Sequence, residues 1–534
     1  MKIQTGILAT GCRAGVALIV LAVATAQLFG QNTADAKVSW ANASSKSADA
    51  TEVRIERIGN GIEPVDLKKD EAPVQLDIEK LMKLYNVPGL SVAVIEDYKI
   101  AWVKSYGVTE PGGTVPVTPK TLFQAGSISK PVAAAGMLAL VQEGKLSLDE
   151  DVNQKLKTWK VPENEFTKEQ KVTLRRLASH SAGLTVHGFP GYDVDEKVPT
   201  LLQIFNGEKP ANTAPIRVDF VPGSDERYSG GGVTIEQQLM MDASGKQFPA
   251  LMKETVLDKI GMNDSSYQQP LPGARAALTA GGARQDGQPV HGKWHVYPEM
   301  AAAGLWTTPT DLAKFAIEIA LSKQGKSNKV LTQKTTQEML TLQSKTFGIG
   351  FGLPPGQPGE FGHSGADEGF QALLLMNADT GQGAALMANS DNGNLVASDL
   401  MRSIAKEYGW KHVEKRGPFE ELMLTAKLGG VDAVLWKYDV LKGSGDAKSR
   451  PPEFVMNALG YESLRNGKTD DAIRIFQKNT VEFPESSNVY DSLGEAYAAA
   501  GKKELAIENY EKSVKLNPKN QNGIDRLKKL KDQK

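Results

Sequence analysis

Apolar residues form one early run, residues 14–29, interrupted only by Thr25 and Gln27, and then recur in two different rhythms. The run follows Lys2 and a short polar stretch, with small residues at Ala24-Thr25-Ala26 and again at Ala34-Asp35-Ala36. This is the layout of a secretory signal peptide with an A-x-A cleavage site, and the run is short for a spanning helix. Cleavage is expected near residue 26, or as late as 36, with membrane attachment only if the segment stays uncleaved. Cys12 precedes the apolar stretch instead of following it, which is the wrong order for lipidation. Residues 27–73 are polar and read as a tether, with ordered sequence expected from Val74.

Beyond that point a strand rhythm comes first. Residues 90–95 and 100–103 are apolar and β-branched around the polar turn Glu96-Asp97-Tyr98-Lys99, predicting two paired strands. A helix is predicted from Ser127 to Gly144, with Pro131 in its first turn and Gly144 as its stop. Thr308-Pro309-Thr310-Asp311 has the order of a helix start: cap, proline at the first position, acid near the dipole. Strand-like sequence returns at residues 347–353, 372–376 and 384–388. Strands at both ends of residues 74–415 predict an α+β sandwich, a mostly antiparallel sheet with helices on its faces.

After Gly417 the rhythm becomes helical, with a polar break at residues 443–452. Leu459-Gly460 recurs as Leu493-Gly494, Gly467 as Gly501, Ala472 as Ala506, Phe476 as Tyr510 and Pro484 as Pro518. One shared spacing of 34 places residues 453–534 in the tetratricopeptide-repeat pattern, an all-α module. Two repeats bury their faces poorly alone. Helices near 419–427 and 431–442 are therefore expected to form a degenerate extra hairpin within a 416–452 linker, and a helix near 524–531 to cap the far end.

Charge and composition narrow the function. The chain of 534 residues carries 62 Lys+Arg against 63 Asp+Glu, which gives no electrostatic footprint for nucleic acid. Its one cysteine lies in the segment expected to be removed, so disulfides, thiolate metal sites and a cysteine nucleophile are not expected. His291 and His295 are four apart, but the stretch lacks the glutamate of a zinc-protease helix and contains Gly292. Neither metal nor cofactor is expected.

The chemistry centres on Ser127-Ile128-Ser129-Lys130. At a helix start, positions three apart share a face, so Lys130 can take the Ser127 proton near the positive end of the dipole. A second S-x-x-K, Ser403-Ile404-Ala405-Lys406, reads as an ordinary helix surface. What separates the two is context. Phe123-Gln124-Ala125-Gly126-Ser127-Ile128-Ser129-Lys130 resembles the nucleophile motif of serine β-lactamases and penicillin-binding proteins, especially the class C-like branch. Arg227-Tyr228-Ser229-Gly230 looks like that branch's tyrosine motif, and His363-Ser364-Gly365 like its strand-borne third motif. Leu177-Ala178-Ser179-His180-Ser181-Ala182-Gly183-Leu184 is similar to its histidine segment.

The resemblance implies Ser127, Lys130 and Tyr228 as catalytic, with the acylation base left open between Lys130 and Tyr228. It implies the backbone N–H groups of Ser127 and Ala366 as oxyanion hole, and Gln124, Gly230, His363, Ser364 and Gly365 as substrate-binding. Two positions depart from the pattern: Gly230 stands where the family has asparagine, and His363 where it usually has lysine. Both count against efficient β-lactam hydrolysis and leave peptidase or esterase activity open. The expected protein is an exported, periplasmic or extracellular serine hydrolase of a small or short-peptide substrate, with a protein or peptide partner for the repeats. The alternative is a catalytically silent binding or scaffold protein.

Overall fold

The computed structural model describes residues 50–411 and 413–532. The signal segment, its cleavage sites and Cys12 lie outside the described residues. Five strands form the central sheet: β1 (Gly89–Glu96), β2 (Lys99–Gly107), β3 (Glu360–Asp367), β4 (Phe370–Asn377) and β5 (Gln382–Ala388). Their order is β2-β1-β5-β4-β3, every neighbouring pair antiparallel. β1 is the unbroken apolar strand and lies inside the sheet, buried through seven of its eight residues. The polar turn at its end reverses through Asp97 and Tyr98, at φ 50° and 59°. The sheet is thus assembled from both ends of the region, as its strand pattern predicts, and β3 is an edge strand, bridged at Gly362 to Gly352.

Helices cover the sheet. Four matter for the site: α1 (Ser129–Gln142), α2 (Gly230–Ser244), α3 (Pro309–Lys323) and α4 (Gly393–Tyr408). α1 is apolar all round and buried from Ser129 to Leu140, so it runs through the core instead of over it. α3 starts as the sequence dictates, with the Thr308 hydroxyl accepting from Asp311 N–H and Pro309 at the first position. Its Leu312 and Phe315 share a core with Ala93 and Ile95 of β1. α4 packs on β4 and β5.

Three expectations need correction. Residues 347–353 form no strand: Phe347 and Gly352 make only isolated bridges, because glycines at 348, 350 and 352 bend the chain. The tether is shorter than expected: residues 50–60 are helical, and Ile62–Val65 pairs antiparallel with Val74–Leu76. Isolated apolar residues in a polar stretch, Ile62 and Val65 among them, carry that pairing and are buried. Ser403 is not on a helix surface: it is buried in α4, with its hydroxyl donating to the Ile58 carbonyl at 2.6 Å.

The C-terminal region is helical throughout. Pro418–Gly443 is two helices across a break at Gly430 (φ 66°, ψ −164°), and the second folds back on the first: Lys437 meets Glu421 at 3.0 Å, and Leu422 shares a core with Val434 and Tyr438. Glu453–Arg465, Thr469–Glu482, Ser487–Ala499 and Lys503–Leu516 form the two repeats, and Gln521–Asp532 follows. The recurring glycines make room for the recurring aromatics. A Cβ on Gly460 would lie 2.4 Å from the Phe476 ring, and one on Gly494 would lie 3.2 Å from that of Tyr510. Leu527 and Leu530 of the last helix pack on the core built by Leu493, Ala506 and Tyr510.

Candidate active site

The short strand Phe123–Gln124 hands the chain to a tight 3-10 turn, Gly126–Ile128, from which α1 departs. Ser127 sits half-buried in that turn. Gly126 has φ 50°, and any Cβ there would lie 2.5 Å from Ala366 N. From the other side, a Cβ on Gly365 would lie 1.9 Å from the Ala125 carbonyl oxygen. Two glycines therefore let the edge of β3 press directly against the nucleophile turn. This contact brings the backbone of Ala366 beside that of Ser127.

Lys130 is buried one turn into the helix. Its Nζ donates to Ser127 Oγ at 2.8 Å and to the Ala302 carbonyl at 2.7 Å. The same nitrogen stands 5.0 Å from the centre of the Tyr228 ring. Ser129 stitches the turn in place, its hydroxyl donating to Gly126 O at 2.6 Å and accepting from Leu305 N–H at 3.0 Å. Serine, lysine and tyrosine thus converge from two separate elements.

Tyr228 is held by His180. The His180 ring lies 4.2 Å from the tyrosine ring, and His180 Nδ1 accepts from Ser229 N–H at 3.2 Å. Its carbonyl takes the Arg227 N–H at 2.8 Å, so both neighbours of the tyrosine are tied to one histidine. Burial first, then the Lys130 charge, drives the His180 imidazole well below its ordinary pKa, which keeps it neutral. His187 (4.9 Å) and Phe347 (5.9 Å) complete an aromatic wall around Tyr228. Ser127, Tyr228, His363, Ser364 and Ala366 line one cavity of about 530 Å³ with them.

The remaining sequence-predicted residues are placed differently. Gln124 is buried, its Nε2 donating to the His295 carbonyl at 2.7 Å, and it does not line the cavity. Gly365 is the close-approach glycine and offers no side chain. Gly230 opens α2 and donates its N–H to the His187 carbonyl at 2.9 Å. A Cβ there would lie 3.1 Å from both His187 O and the Phe189 ring, so the 187–189 loop occupies space a side chain would need. His291 pairs with Asp193 at 2.8 Å on the surface, beside Asp195, away from the cavity.

Four functional positions carried no motif. His187 and Phe347 lie on loops. Ala302 contributes only a carbonyl. Gln237 of α2 clamps that carbonyl's turn, Met300–Ala303, with Nε2 donating to Pro298 O at 3.2 Å and Oε1 accepting from Ala301 N–H at 2.8 Å. Gln237 stands in the polar run Glu236-Gln237-Gln238, all of it buried in α2, and only the fold separates it from its neighbours.

Residues 74–407 match the family model described as Beta-lactamase, and residues 487–520 match Tetratricopeptide repeat. A beta-lactamase of Pseudomonas fluorescens is 28% identical over 286 residues, 53% of this chain and 74% of that protein. An unguisins hydrolase of Aspergillus campestris is 30% identical over 206 residues, 38% of this chain and 36% of that protein. Among solved structures, the octameric penicillin-binding protein homologue from Pyrococcus abyssi aligns with a TM-score of 0.54 at 23% identity. That alignment covers 65% of this chain and 80% of its own.

Proposed function

Because the chain belongs to the beta-lactamase family, we propose that it is a serine hydrolase working through an acyl-enzyme on Ser127. The observation that carries this reading is the 2.8 Å hydrogen bond between Lys130 Nζ and Ser127 Oγ at the floor of an open cavity. In the proposed reaction Lys130, entering as its free amine, accepts the hydroxyl proton as Oγ attacks the substrate carbonyl. The negative charge that develops on the carbonyl oxygen falls to the N–H groups of Ser127 and Ala366. Tyr228, against the lysine, passes the proton to the leaving group as the carbon–heteroatom bond breaks. Water then attacks the ester on Ser127, and the proton returns along the same route. Peptide, ester and lactam carbonyls all fit this chemistry.

The apolar run at residues 14–29 supports export as part of the proposal, with the repeats engaging a protein or peptide partner. N-terminal sequencing of the protein recovered outside the cytoplasm, starting near residue 27 or 37, is the check on export. Intact-protein mass spectrometry after exposure to activated esters, D-amino-acid peptides and β-lactams tests the chemistry. An acyl adduct on Ser127, absent in Ser127→Ala, is expected. No adduct and no turnover with any of them would leave the silent-binder reading, which the filled space at Gly230 favours.

A further inference from the structure

His363 occupies the place where the resembling motif usually presents a lysine, yet its surroundings leave it nothing to offer an anion. Its Nδ1 lies 2.5 Å from the Ser364 carbonyl oxygen. A carbonyl has no proton to give, so Nδ1 carries the hydrogen and Nε2 keeps a bare lone pair. Nε2 is buried and has no hydrogen-bond partner. Burial first, and the Lys130 charge second, push the imidazole down to about 4, so it is neutral at ordinary pH.

The other walls bring hydroxyls and rings but no permanent cation. Ser127, His187, Tyr228, Phe347, Ser364 and Ala366 line the cavity with no lysine or arginine among the lining residues. Lys130 beneath them is already shared between Ser127 and Ala302. The basic side chains of the neighbouring loops are taken, Lys345 by Asp225 and Arg227 by Asp219.

We propose that this site selects neutral esters and amides with a flat or apolar group beside the scissile carbonyl, and rejects substrates that carry a carboxylate there. A carboxylate entering the cavity would shed water and meet aromatic faces with no cation beside them, leaving a charge unpaired. A flat neutral group instead stacks on the wall of Phe347, Tyr228 and His187. The proposal rests on the hydrolase reading above, and adds to it the sign of the substrate.

The test uses the full chain and paired chromogenic esters that are identical except for a terminal carboxylate or its carboxamide. The assay runs at pH 8, above the ordinary titration range of an imidazole. The carboxamide is expected to have kcat/KM about tenfold or more above the acid, and His363→Lys to shrink or reverse that ratio. Equal or better turnover of the acid by the unaltered protein would overturn the proposal, as would an unchanged ratio in a folded His363→Lys. Nitrogen-15 NMR of the histidine-labelled protein gives a readout that needs no turnover. An unprotonated Nε2 at residue 363 at pH 7 is expected, and a protonated one overturns the proposal. Turnover of both esters that persists in Ser127→Ala refutes the Ser127 mechanism instead, and the NMR result then decides the polarity of the site alone.

Discussion

At the scale of single residues, position 365 shows how little room the site leaves. Gly365→Ala would set a Cβ 1.9 Å from the Ala125 carbonyl oxygen, so β3 or the nucleophile turn must move. A shift of that size is expected to lower kcat on the order of 100-fold, and overpacking to cost about 1–3 kcal/mol of stability. Activity and thermal unfolding on the same sample check both. Buried acids make a second prediction. Glu236 of α2 is fully buried, and burial raises its carboxyl to about 8. The folded form therefore holds a proton that the unfolded chain releases near pH 4.5. Its contribution is complete below that value and is lost as pH rises through about 8. Glu236→Gln stays neutral throughout, so it should raise the melting temperature at pH 8 and change it little at pH 4. A uniform gain at both would mean that packing, not titration, is responsible.

At the scale of elements, the site depends on one short turn. Met300–Ala303 presents the Ala302 carbonyl to Lys130, and Gln237 of α2 holds that turn through two hydrogen bonds. Gln237→Met keeps the volume of the side chain but frees the turn. We expect kcat to fall about tenfold with KM changed less, because the lysine loses its orientation while the cavity wall stays in place. Steady-state kinetics with one chromogenic ester separates the two constants. Equal changes in both would place Gln237 in substrate binding. The bend at residues 347–353 belongs to the same scale. Its apolar residues read as a strand, but the glycines turn it so that Phe347 reaches the cavity. Glu226 pins the approach to it by accepting from Ser344 Oγ at 2.6 Å and Thr346 N–H at 2.7 Å.

At the scale of the molecule, the first half of the helical region is joined to the hydrolase fold by charge. Asp399 of α4 accepts from Arg402 at 2.8 Å and from Arg416 at 2.7 Å, and Arg402 reaches on to Glu420. Lys437 pairs with Glu421 at 3.0 Å, and the Asp399, Arg416 and Lys437 side chains are nearly inaccessible to solvent. Ending the chain at residue 417 removes Glu420 and Glu421 and leaves Arg402 and Arg416 to share Asp399 alone, a loss of about 1–3 kcal/mol. Ending it at residue 452 keeps the network and exposes Val434 and Tyr438, which otherwise pack on Val455 and Met456. The 1–452 chain is therefore expected to keep kcat within about twofold on a small ester, since nothing after residue 366 lines the cavity. The 1–417 chain should melt lower. Lost activity in a folded 1–452 chain would show that the repeats shape the site.

Local rules carried a great deal of this protein. The three-residue spacing of Ser127 and Lys130 on a helix start, the cap at Thr308, the apolar run of β1 and the 34-residue repeat are all short-range, and helix and strand periodicity make them readable. The same is true of the glycines that must face aromatics in the repeats. What tertiary structure alone decided involves groups far apart in the chain. The Ala302 carbonyl meets Lys130 across 172 positions, and Phe347 and His187 reach Tyr228 from loops without a motif. The Ile62–Val65 pairing hid in a polar stretch because two apolar residues carry no period. The character of His363 changed most. Its position in a motif marked it as a substrate contact, but burial, Lys130 and the Ser364 carbonyl made it a neutral ring with its donor already used. Charge state is a property of surroundings, and the fold brings those surroundings together only after the chain has closed.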